Sequence, residues 1–203
     1  MRKKSHISLA RYMVDTLNDD ELRKHKLSFY LGSILPDIKP SFVYKRHEIT
    51  GTFPAIQKHI KRLSEGRKLV EKKKNRKYYM DLGQISHYLA DYFTFPHNKI
   101  YPGTIKDHCS YEEKLKQDLR SFLKNGEAAK KLIEQEIDEK KKETFSNAEA
   151  LCNYIQKTHD DYIAKKHDVE DDIRHIIAVN HKALEGMMQL LAEKRAERFL
   201  KHS

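Results

Sequence analysis

The chain predicts an all-α fold, and three observations carry that expectation. Glycine and proline are scarce, 7 and 5 among 203 residues, while Lys, Glu, Leu and Ile are plentiful. Charged residues make up 34% and the mean hydropathy is -0.82, so most helical surface is polar and each helix buries one stripe. Apolar residues recur at helical spacing, most plainly Ile173, Ile176, Ile177, Leu184, Met187, Met188 and Leu191 near the C-terminus.

The elements follow in order. A first helix is predicted from Ser5 to about Asn18, with Ile7, Leu9, Tyr12, Met13 and Leu17 apolar. A second runs from Asp20 through Leu31, capped by Asp19 or Asp20. Gly32 through Pro40 ends it, and an irregular stretch continues to Phe53, long enough to carry function. Helices are predicted at about 54–73, 76–94, 107–124, 127–142, 146–166 and 169–200, with Asn125-Gly126 as a break. No repeat, linker or low-complexity segment divides the chain, which predicts a single domain over 1–203.

The helix at 76–94 stands apart. Lys and Arg number 40 in the chain, yet none occurs between Lys77 and Lys99. On a helical wheel Leu82, Ile85, Leu89 and Tyr92 share one side, with Gln84, His87 and Asp91 opposite. A helix with no cationic face is expected to be buried all round, with the others packed about it. His87 and Asp91 then point into the protein. A buried carboxylate needs a cation or a hydrogen-bond network, and a metal ion provides the cation.

Composition narrows the class further. No run of 18 apolar residues predicts a transmembrane helix. The basic start Met1-Arg2-Lys3-Lys4-Ser5-His6 is followed by no apolar signal region, and the expected location is the cytoplasm. Cys109 and Cys152 read as free thiols. Adjacent helical residues point about 100° apart, which argues against Cys109 sharing an ion with His108. The formal charge of +10 favours anionic partners. However, Lys72 to Lys77 and Lys140 to Lys142 fall near predicted helix ends and read as solvated ends.

The candidate site lies in the spacing His87-x3-Asp91-x5-His97, followed by His108-x3-Glu112. Each x3 gap puts an imidazole and a carboxylate one turn apart on one helix face. Zinc accepts that mixture of nitrogen and oxygen donors. Upstream, His6 opens the first helix, Asp37 follows Pro36, and His47 lies in the irregular loop. His25, His59, His159, His167, His175, His181 and His202 read as ordinary core or surface residues. Tyr78, Tyr79, Tyr88, Tyr92, Phe93, Phe95 and Tyr101 read as core, or as walls of an apolar cleft.

In order and spacing, His6, Pro36-Asp37, His47, His87-x3-Asp91-x5-His97 and His108-x3-Glu112 resemble the ligand pattern of the zinc-dependent phospholipase C family. The related single-strand-specific zinc nucleases share that pattern. The resemblance covers roughly the first 112 positions and implies an all-α fold with a trinuclear cluster in a cleft. It implies that Asp37, His47, His87 and Asp91 hold one zinc, and that His97, His108 and Glu112 hold a second. A third would be shared through Asp91 and completed by His6 with the amine and carbonyl of the first residue. Secreted members begin with a tryptophan in that place. This chain has none, and Met1-Arg2-Lys3-Lys4 precede His6, so the third ion is expected to be held less completely.

The expected function is zinc-dependent hydrolysis of phosphate esters, most specifically of phosphodiesters, at two or three zinc ions. Asp37 is the candidate for orienting water or accepting its proton. The substrate would be a small phosphate ester or a lipid head group. Three alternatives stand beside it: a metal-stabilised helical protein that binds without turnover, a zinc nuclease acting on single strands, and a nucleic-acid-binding protein driven by the +10 charge.

Overall fold

A computed structural model describes residues 1–38, 47–65, 72–125, 144–165 and 168–202. The described residues are all-α, with no strand among them. The helices are α1 (Lys3–Thr16), α2 (Asp20–Lys24), α3 (Lys26–Ile34), α4 (Ile49–Ser64), α5 (Lys72–Tyr92), α6 (Ile105–Asn125), α7 (Ala148–Ile163) and α8 (Val169–His202). A 3₁₀ turn, Phe95–His97, joins α5 to the loop before α6. The helix expected at 127–142 lies outside the described residues, as do Lys140 to Lys142.

Local chemistry accounts for the boundaries. After α1, Asn18 takes a left-handed backbone (φ 49°), the turn-closing role usually given to glycine. Asp19 caps α2 by accepting from the Leu22 N–H at 2.6 Å. The single helix expected at 20–31 is instead two, broken at His25, whose backbone leaves the α region (φ -108°, ψ 17°). The break lets the His25 ring stack on Tyr79 of α5, with centroids 5.0 Å apart.

Two further expectations are corrected. The stretch up to Phe53 is not irregular throughout, because α4 begins at Ile49. Pro54 suggests a first helical position, but a full turn precedes it, closed by the Gly51 and Thr52 N–H groups on the Glu48 carbonyl (3.2 and 3.1 Å). The lysines from Lys72 to Lys77 open α5 and do not end the helix before it. There the dipole opposes cations, so the helix owes its stability to packing of its later turns.

α5 is the buried element, as the missing cations foretold. From Tyr78 to Thr94 only Met80, Gln84 and Tyr88 are even partly exposed. It packs most extensively on α3 and also touches α1, α4 and α8. Leu82, Ile85, Leu89, Tyr92 and Phe93 enter the apolar core. The opposite face carries His87 and Asp91, both fully buried. Of the other aromatics, Tyr78 and Tyr79 are core, Tyr88 lies against His47, and Tyr101 lines a cleft.

Candidate metal centre

Each candidate ligand is placed by an identifiable local cause. α3 stops at Ile34, where Pro36 has no N–H to extend the ladder, and the ensuing turns carry Asp37 (Asp37 N–H to Ile34 O, 3.1 Å). His87 and Asp91 stand one turn apart on α5, and His108 and Glu112 one turn apart on α6. His97 sits in the 3₁₀ turn, which is braced on several sides. The Phe95 N–H donates to Asp172 at 2.8 Å, and the Asn98 amide donates to the Tyr92 and Thr94 carbonyls at 3.1 and 3.0 Å.

All eight predicted residues converge. His6, His87 and Asp91 form one group of donor atoms; Asp37, His47 and His87 form a second; His97, His108 and Glu112 form a third. Within each group the donors lie within 4.8 Å of one another. Asp91 joins them, one oxygen to each side. Its Oδ2 is 2.9 Å from His47 Nδ1 and 3.2 Å from His87 Nε2. Its Oδ1 is 3.4 Å from His6 Nε2 and 3.8 Å from His97 Nδ1.

The donors fit zinc. Tetrahedral bonds of about 2.05 Å place neighbouring ligand atoms roughly 3.3 Å apart. His87 Nε2 lies 3.1 Å from His47 Nδ1 and 3.6 Å from Asp37 Oδ1, and Asp37 Oδ1 is 4.0 Å from His47 Nδ1. Glu112 Oε1 lies 3.1 Å from His97 Nε2 and 3.4 Å from His108 Nε2. His6 adds independent support: the ring is 1% exposed and neither of its nitrogens has a hydrogen-bond partner among the described residues. Such an orphan is costly unless something else accepts its lone pair.

Protonation states suit the same purpose. Burial, reinforced by His87, lowers the His6 pKa to about 3, so the ring is neutral with a lone pair to give. His87 Nδ1 lies 2.8 Å from the Ser33 carbonyl. A carbonyl only accepts, so Nδ1 carries the proton and Nε2 is left facing the carboxylates. Burial alone would raise Asp91, but the Met1 amine, His97, His87 and His6 hold it well below the usual carboxylate range. For Asp37 burial prevails and the pKa is raised.

One participant is a main-chain group, the first-residue amine that the resemblance placed beside His6. The Met1 amine stands 2.5 Å from Asp91 Oδ1, 3.1 Å from His97 Nε2 and 3.2 Å from Glu112 Oε1. The amine lies on the side of Asp91 that faces His97 and Glu112. Burial would strip the Met1 ammonium of its proton, but Asp91 and Glu112 reverse this and raise its pKa. The Ser33 carbonyl was missed, since a main-chain group leaves no trace in residue type. Cys109 is exposed and joins no donor group among the described residues.

The cluster opens into a cleft of about 860 Å³, whose lining includes Asp37, His47, His97, His108 and Glu112 from the site and Arg2, Lys3, Lys4, Lys99 and Lys116 around it. Buried acids and imidazoles below, cations above, make a pocket suited to an anion once the carboxylates are neutralised. Among the described residues, no helix is long and apolar enough to cross a membrane.

No curated protein and no solved structure matches the chain. Residues 5–169 match the family described as zinc dependent phospholipase C, a span that includes all eight candidate ligands. With that match over most of its length, the chain belongs to the zinc-dependent phospholipase C family.

Proposed function

We propose that this single-domain chain is a zinc-dependent hydrolase of phosphate esters, acting on phosphodiesters at a cluster of two or three zinc ions. The observation that supports it best is Asp91, which offers one oxygen to the His47–His87 side and the other to the His6–His97 side. Bound zinc would supply Lewis acidity, polarising a phosphoryl oxygen and acidifying a water molecule.

The chain's own groups do the rest. His47, His87 and Asp37 would hold one ion and His97, His108 and Glu112 another, with His6 and the Met1 amine completing a third position on Asp91 Oδ1. Asp37 lines the cleft and has a raised pKa, so it is suited to orient a water or accept its proton. Arg2, Lys3, Lys4, Lys99 and Lys116 draw an anionic ester into the cleft. Depth excludes bulk water from Asp91, which strengthens its hold on cations.

Elemental analysis of purified protein and turnover of bis-p-nitrophenyl phosphate test the reading. Zinc in the protein, turnover that a chelator abolishes and zinc restores, and loss of turnover in Asp37→Asn support it. Protein that binds no zinc, or that binds zinc yet hydrolyses neither diesters, phospholipid nor single-stranded oligonucleotide, overturns it. In the second case the cluster would be structural.

A further inference from the structure

We propose that the rim of the cleft is a docking surface for an anionic phospholipid membrane, with Ile100 and Ile105 entering the lipid interface and nearby lysines meeting its charge. The inference deepens the hydrolase reading and rests on it, since it says where the ester comes from.

The segment from Lys99 to Lys106 carries the argument. Ile105 is 86% exposed and Ile100 48%, whereas most of the other described isoleucines serve the core. Ile105 is the first residue of α6, a position that asks for no apolar side chain. Lysines flank the pair at 99 and 106.

The segment is built to hold this shape. Thr104 and Asp107 cap α6 reciprocally: the Thr104 N–H donates to Asp107 Oδ2 at 2.8 Å and the Asp107 N–H donates to Thr104 Oγ1 at 3.3 Å. The Tyr101 ring meets Phe95 edge-on at 5.1 Å and lies 6.3 Å from both His108 and Tyr111. Gly103 lies directly against that ring, and a β-carbon there would come within 2.5 Å of it. The two exposed isoleucines thus lie five residues apart on a braced segment, Ile105 lining the cleft.

Charge selects the occupant. Lys3, Lys4, Lys99 and Lys106 have no ion-pair partner among the described residues, whereas Arg2 and Lys116 are paired with Glu113. Lys3, Lys4, Lys99, Tyr101 and Ile105 line the same cleft. Unpaired lysines beside apolar residues suit an anionic lipid surface, which each lysine approaches favourably while the isoleucines insert. The surface adjoins the candidate ligands: Lys99 and Ile105 line the cleft that His97 and His108 also line.

The test is cosedimentation of the zinc-loaded chain with vesicles of phosphatidylcholine, with and without phosphatidylserine. Expected are binding to the phosphatidylserine vesicles only, weakening as salt rises, and a loss of about tenfold or more in the Ile100→Ser/Ile105→Ser variant. The charge variant Lys99→Glu/Lys106→Glu gives an independent reading, and thermal melting shows whether each variant is folded. Failure of the wild-type chain to bind phosphatidylserine vesicles, or equal binding by the folded variants, overturns the proposal. So does a dimer in light scattering that the isoleucine variant dissolves, which would assign the surface to a second copy. Turnover of a soluble diester by the wild-type chain without vesicles is measured separately. Soluble turnover without vesicle binding defeats the docking surface alone, and vesicle binding without turnover of soluble diester, vesicle phospholipid or single-stranded oligonucleotide defeats the hydrolase reading while the surface stands.

Discussion

Gly32 of α3 and Gly83 of α5 meet backbone to backbone. A β-carbon on Gly83 would strike the Phe29 carbonyl oxygen and stand 2.8 Å from the Ser33 nitrogen and 3.1 Å from the Gly32 carbonyl carbon. One on Gly32 would strike the Met80 carbonyl oxygen. Only at this approach does the Ser33 carbonyl come within 2.8 Å of His87 Nδ1. The contact thus sets which nitrogen of His87 faces the cluster.

Gly83→Ala should therefore affect both fold and site. The new methyl group meets backbone, which yields poorly, so the expected loss is about 1–3 kcal/mol or more. The Ser33–His87 bond should lengthen and zinc affinity should fall by about 10–100-fold, the usual cost of losing a partner that orients a ligand. Urea unfolding and zinc titration measure the two effects. A stability loss with unchanged zinc affinity would detach the helix contact from the site.

Asp91→Asn keeps the shape and removes the charge. An amide has one oxygen and cannot serve both sides, so bound zinc should fall while the His97–His108–Glu112 group remains intact. Asp81→Asn is the contrast. That carboxylate is also buried but pairs with Arg62 at 2.8 Å, and its loss should lower stability with zinc content unchanged. Elemental analysis of both variants decides the matter. Adding zinc to stripped wild-type protein should raise the melting temperature, by about 4 kcal/mol of stability per ion at a thousandfold excess over Kd.

Asp172 should make stability depend on pH. It accepts from the Phe95 N–H and from the Tyr111 and Tyr162 hydroxyls at 2.8, 2.9 and 2.7 Å, tying the 3₁₀ turn, α6 and α7 to α8. Burial nevertheless raises its pKa from 3.8 to about 6. The folded state then holds this proton more tightly than the unfolded state. The contribution is present below pH 4 and falls by about 3 kcal/mol as pH rises past 6. Stability of Asp172→Asn relative to wild type should accordingly improve from pH 4 to 7. If wild type gains instead, the three donors hold an anion and the sign is reversed.

The two thiols should differ in reactivity. Cys109 is exposed, whereas Cys152 is buried and burial, with Glu149, pushes its pKa up to about 11. A thiol reagent should label one cysteine in the native protein and two after denaturation. Labelling of Cys152 without denaturant would mean that α7 opens readily.

Much of this was legible along the chain. The His87–Asp91 and His108–Glu112 pairs appear as four-residue steps, and the absence of Lys and Arg from 78 to 98 marks α5 as buried. Boundaries were less legible where one residue suggested the wrong role. The irregular stretch read as continuing to Phe53, Gly32 as a stop, and the lysines from Lys72 as a helix end. In each case tertiary packing outweighed the local preference: α4 and α5 begin earlier than their signals suggest, and Gly32 lies inside α3 as a contact surface.

What the order of residues alone determined is the helical class, the buried helix and the set of candidate donors, because periodicity and ligand chemistry are local properties. What required three dimensions is their meeting. The Met1 amine lies 90 residues from Asp91, the Ser33 carbonyl 54 from His87, and Asp172 77 from Phe95. Bonds across such separations depend on how closely helices approach, and that is set by side-chain volume at crossings such as Gly32–Gly83, which no pattern along a single helix records.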